Sequence, residues 1–128
     1  MTVAIFINTS KHPFVDQILA RLKLYETRNR NTLGRFLGER VLLAETGHGK
    51  PIARGTAKIT EVIEVYTQEY WEKYRNEACI PAGSDYDWKP DTKKKVLYRL
   101  SSVTPCEPFR LTDGIRHGRI WMECERSV

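Results

Sequence analysis

Nowhere in its 128 residues does the chain hold an apolar run near the ~20 residues that a membrane-spanning helix requires. The longest apolar run, residues 3–7, has the length of one buried strand. The first residues carry neither a basic patch nor a long apolar segment, so no secretory leader is expected. Cysteine is scarce: Cys79, Cys106 and Cys124 form no C-x-x-C pair, and an odd count leaves one thiol over in any disulfide scheme. Such usage fits a reducing compartment better than a secreted scaffold, and the cytoplasm is the expected location. Internal repeats, low-complexity segments and linkers are also missing. No P-loop, Ser-His-Asp order or paired-carboxylate motif stands out. Gly47-His48-Gly49-Lys50 is too short for a Walker loop and reads as a turn. His48 and His117 lack metal-ligand spacing, so neither a metal nor a cofactor is expected.

What remains is 41% hydrophobic and 29% charged, enough for one folded domain over residues 1–128. Charge is segregated along it. Residues 1–60 hold ten Lys and Arg against four Asp and Glu, and residues 61–88 hold two against seven. Residues 89–119 return to eight against three. Two basic stretches flanking an acidic one favour a basic face and an anionic partner, a nucleic acid or a phosphorylated ligand.

Residues 3–7 read as a buried strand. Over residues 11–22, Phe14, Val15, Ile18, Leu19 and Leu22 recur at helical spacing, with Ser10 as N-cap and Pro13 in the first turn. Strand formers follow Lys23. Residues 40–45 and 52–66 form two strands around the glycine turn, hence a hairpin. Thr67 caps a second helix over 67–77, striped by Tyr70, Trp71 and Tyr74. Residues 80–90 are an irregular loop, and 95–105 and 119–125 are further strands. Several strands with short helices between them indicate an α+β domain, a small mixed sheet or barrel.

Residues 13–30 carry a more specific pattern. Lys23-x-x-Glu26-x-Arg28 follows a short helix that starts at Pro13-Phe14, and Gly38-Glu39-Arg40-Val41 and Gly55-Thr56-Ala57-Lys58-Ile59 come after it. In this order the residues resemble ASCH domains (activating signal cointegrator homology), whose core is G-x-K-x-x-E-x-R. The resemblance covers residues 1–66 well and the remainder by strand order. It implies a PUA-like fold, a small mixed β-barrel with two or three short helices, and a role near RNA. Arg21 stands where the motif has glycine, and Phe14 where many members have tyrosine.

On an extended strand Glu26, Arg28 and Arg30 share one face, and Lys23 turns to the same cleft from the junction. Cations around one carboxylate make an anion site, or else a salt-bridged face that only solubilises the sheet; the order of the motif favours the site. Lys50, Arg54 and Lys58 along the hairpin extend a phosphate-tracking stripe. Lys94 in the Lys93–Lys95 run, beside Tyr86 and Trp88, combines charge with aromatic surface; Trp88 either stacks on bases or packs under its own loop. The leading reading is therefore RNA or single-stranded nucleic-acid binding, or binding of a nucleotide-like small molecule, with no membrane partner. The alternative is a small hydrolase, a ribonuclease or modified-nucleoside amidohydrolase, with Lys23 and Glu26 as its catalytic pair. A third is a protein-interaction module contacting partners through the acidic helix. Relatives resembling acetylcytidine amidohydrolases place a threonine three residues after the motif lysine. Glu26 holds that position here, and Thr27 should face the other way, so that activity is not expected.

Overall fold

Complete burial of residues 41–44, on both faces of one strand, shows that the sheet is covered on two sides. Val41 and Leu43 join a large core with Ile5 and Ile7, while Leu42 and Ala44 join a smaller one with Ala4 and Phe6. In chain order the elements are β1 (Thr2–Asn8), α1 (Phe14–Leu19), β2 (Tyr25–Arg28), β3 (Arg40–Thr46) and β4 (Ile52–Val65). Then come α2 (Gln68–Glu72), β5 (Lys95–Arg110), β6 (Ile115–His117) and β7 (Trp121–Cys124). The computed structural model describes residues 2–124. Its strands form one mixed seven-stranded sheet in the order β2-β5-β4-β3-β1-β7-β6, with β1 and β3 parallel.

Among the described residues no ladder joins the edge strands β2 and β6, so the expected barrel is an open sheet. It is nonetheless curled. β1 lies four strand spacings from β2, roughly 19 Å on a flat sheet, yet Arg28 of β2 donates to the Phe6 carbonyl of β1 at 2.6 Å. A side chain, not a ladder, joins β2 to β1.

The first helix is half the length that periodicity predicts. Ser10 does not cap it: its N–H and hydroxyl both bond Asn8 Oδ1, and Pro13 occupies the N-cap position. At the other end Leu22 N–H reaches Gln17 O and Arg21 N–H reaches Ile18 O, the paired bonds of a Schellman stop. Arg21 sits at φ 62°, the left-handed conformation that favours glycine, and Leu22 is turned out to solvent. The arginine at the motif's glycine position thus takes a backbone conformation that glycine adopts without strain. Gly55 lets α1 sit close: a Cβ there would lie 2.7 Å from Thr104 O and 2.8 Å from Leu19 Cδ2.

Thr67 caps α2 as expected, accepting from Tyr70 N–H at 3.2 Å. The helix ends at Glu72, and further turns run to Cys79 at φ 55°, so the acidic helix is shorter than the predicted 67–77. Trp71 is buried and Tyr70 exposed. β5 continues past Pro105 to Arg110, because β2 pairs only with Val96 to Arg99 and the later residues lack a neighbour on that side. Proline without an N–H is tolerated on such an edge. The C-terminal strand is a hairpin of β6 and β7; Glu125, placed at its end by sequence, lies outside the described residues. No helix is long and apolar enough to cross a membrane, among the described residues.

Candidate functional site

Lys23 is set by hydrogen bonds on every side of the junction between α1 and β2. Its own N–H reaches Gln17 O, while Leu24 donates to Glu77 O and accepts from Leu100 N–H. The side chain is only 1% exposed. Its ammonium donates to Ala78 O at 2.5 Å and lies 4.4 Å from the centre of the Phe14 ring. Ala78 stands at the carbonyl end of the turns that follow α2, just before Cys79, where a cation is favoured. Burial pushes the Lys23 amine below the ordinary lysine range; Glu26 opposes that shift and Arg28 adds to it. Lys23, Glu26 and Arg28 are therefore electrostatic neighbours.

Glu26 pairs across the ladder with Tyr98 and is 5% exposed, so it faces inward with that buried ring. Its Oε1 accepts Thr27 N–H at 2.9 Å, and its Oε2 lies 3.8 Å from Arg28 Nη2. Arg28 Nε is buried with no partner among the described residues. Thr27 points to the opposite face from Glu26 by strand alternation. Tyr25 is buried on that second face, edge-on to Tyr74 at 5.5 Å. The 80–90 loop reaches the same neighbourhood: Tyr86 packs edge-on to the Phe14 ring at 5.3 Å.

Beyond Arg28 opens a cleft of about 360 Å³. Arg28, Arg116 and Arg119 line it together with Asn8, Gly47 and Gly49. Lys50 is exposed on the turn that forms its rim. Sequence reading did not single out Arg116 and Arg119; the one signal for them was the basic balance of residues 89–119.

The remaining expected site residues lie elsewhere. Arg54 is held by Asp16 at 2.8 Å and Glu45 at 3.1 Å, so it does not extend a free cationic stripe. Arg30 and Lys94 line another depression, shared with Asp85, Asp87 and Asp91, and Lys94 pairs with Glu64 at 3.3 Å. Trp88 is half-buried against the main core, as its packing alternative has it. That loop is braced by Asp87, which accepts from the Trp71 indole at 2.7 Å and from the N–H groups of Gly83 and Trp88 at 2.8 Å. Burial alone would raise the Asp87 carboxyl, but these donors and Arg75 hold it below the usual range. Among the described residues no three His, Cys, Asp or Glu side chains converge on a metal site.

No family model matches the chain, and no curated protein matches it. Solved structures do. The crystal structure of ASCH from Zymomonas mobilis aligns with a TM-score of 0.71 at 23% identity, covering 86% of this chain and 73% of that one. Two single-substitution variants of the same protein align with TM-scores of 0.70 and 0.71, also at 23% identity and 86% of this chain, with 76% and 74% of theirs. At this identity the likeness establishes the fold, and the chain has that of an ASCH domain.

Proposed function

We propose that the domain binds RNA or another single-stranded nucleic acid at the cluster of Lys23, Glu26 and Arg28. The observation that carries the reading is the spare bonding capacity of this cluster. Among the described residues Glu26 accepts one hydrogen bond, and a nitrogen of Arg28 has no partner. Buried charges normally have their bonds filled, so an unpartnered donor beside a carboxylate with one hydrogen bond fits a ligand that engages both. A base edge offers an N–H to Glu26, and a phosphate or carbonyl oxygen offers an acceptor to Arg28. The ASCH-type fold supports a nucleic-acid-related role. Titration of a fluorescent single-stranded oligoribonucleotide should give binding that weakens steeply with salt and is lost in Glu26→Ala. Affinity that is flat across salt, or unchanged in that variant, rejects the reading.

A second reading, hydrolysis at the same place, rests on the Lys23 amine. Burial favours its neutral form, which is what a general base needs, and Glu26 lies beside it. Turnover of an RNA phosphodiester or a modified nucleoside should then fall on an acidic limb and vanish in Lys23→Met. Acetylcytidine is the disfavoured substrate, because a threonine nucleophile at Thr27 would face away from Glu26. Release of cytidine that Thr27→Ala abolishes would show that register argument to be wrong.

A further inference from the structure

Among the described residues, the cleft next to Arg28 is lined by three guanidinium groups and no carboxylate. By contrast Arg54 is held by two carboxylates and Lys94 by Glu64, and the depression that Arg30 lines also holds three aspartates. Arg116 and Arg119 form no ion pair among the described residues. Two of the three arginines are ordered by the same residue. Arg28 Nη2 bonds the Phe6 carbonyl at 2.6 Å, and the Arg116 guanidinium lies 5.6 Å from the centre of the Phe6 ring. Guanidinium groups cannot shed their protons at ordinary pH, and of the three only Arg28 has a carboxylate beside it, Glu26 at 3.8 Å, so the cleft favours an anion. Across the cleft the wall is backbone. Gly47 and Gly49 both have φ of 98° and present no side chain, and a Cβ at Gly49 would meet nothing within 4 Å. A volume of about 360 Å³ accommodates a nucleotide-sized group.

We infer that Arg28, Arg116 and Arg119 form an oxyanion subsite that takes a phosphate group of a nucleotide or of a nucleic-acid backbone. This rests on the proposed nucleic-acid reading and deepens it: the arginine cleft takes a phosphate next to the base or sugar that engages the Lys23–Glu26 cluster. Arg28 belongs to both and sets their spacing. Planar guanidinium forks suit the bidentate geometry of phosphate oxygens better than ammonium groups do. Arg116 and Arg119 are exposed, so they are available to a strand passing the domain's face.

The test uses the full chain and three probes: adenosine, adenosine 5′-monophosphate and a single-stranded oligoribonucleotide. Amide resonances of Gly47 and Gly49 should shift on adding the monophosphate and not the nucleoside. Arg119→Glu should weaken monophosphate binding at least roughly tenfold, with an unchanged melting temperature. Arg119→Ala should lower the salt slope of oligonucleotide binding by about 0.7, the value for one phosphate contact on a single strand. Monophosphate binding that both variants lose, with no oligonucleotide binding in the wild type, would uphold the subsite and reject the nucleic-acid reading. Oligonucleotide binding untouched by either variant would reject the subsite and leave that reading standing. Equal binding of nucleoside and monophosphate, or no monophosphate binding at all, also overturns the inference.

Discussion

Lys23 and Lys95 are both buried lysines lying against an aromatic ring with one carbonyl acceptor, yet their surroundings differ in completeness. Lys95 donates to Tyr86 O at 2.9 Å, 5.4 Å from the Trp71 ring, and its neighbour Asp87 accepts three hydrogen bonds. Lys23 donates to Ala78 O beside the Phe14 ring, but Glu26 accepts one bond and Arg28 leaves a nitrogen unmatched. The carboxylate beside Lys95 is thus engaged from three sides and braces the fold, while the one beside Lys23 keeps bonding capacity for a ligand. Buried charge alone does not distinguish the two, and the count of satisfied donors and acceptors does.

Truncation should separate them most sharply. Asp87→Ala leaves the buried Trp71 indole and two backbone N–H groups without an acceptor, and should cost about 3 kcal/mol in urea unfolding. A loss below ~1 kcal/mol would mean that water replaces Asp87 and that the loop is no brace. Gly55→Ala acts on the motif side by pushing α1 off β4 and β5; the crowding at Thr104 O should cost about 1–3 kcal/mol. It should also weaken ligand binding, since α1 carries the junction that sets Lys23. Unchanged stability there would show that α1 shifts freely.

Lys23→Met should change stability at neutral pH by no more than ~1.5 kcal/mol, because removing a buried charge offsets the lost bond to Ala78 O. Ligand binding or turnover should nevertheless disappear. The pH trend has a definite sign. Burial holds the amine below its ordinary value, so between the folded value and the unfolded value of ~10.4 the unfolded chain binds more protons. The wild type should therefore gain stability relative to Lys23→Met as pH climbs through that window. A constant difference would mean that Lys23 titrates as a free lysine does. Smallest is Arg21→Gly, which relieves a left-handed arginine at the helix stop and should add roughly 0.5–1 kcal/mol. A loss of stability would show that the Arg21 side chain contributes contacts of its own.

The motif was legible because its parts are local. A short helix, a stop and a four-residue strand place Lys23, Glu26 and Arg28 within six positions, and strand alternation separates Glu26 from Thr27. The helix limits were less so: periodicity counted Leu22 as apolar stripe, but the Schellman stop at Arg21 turns it outward, and no glycine announced that stop. Arg54 and Lys94 looked available in sequence because their carboxylate partners lie 9, 30 and 38 positions away.

By itself the sequence determined the hairpin of β3 and β4, the Thr67 cap and the order of charged residues at the junction, since each depends on side-chain period or on bonds within a few residues. Tertiary structure alone decided that Arg28 meets Phe6 and that Arg116 and Arg119 join it, through an order that sets β2 and β1 four strands apart and a curl that brings them back together. It also decided which cations are left without a carboxylate. Ion pairing depends on distances in space, and a sheet that interleaves strands from both ends of the chain makes those distances unrelated to separation along it.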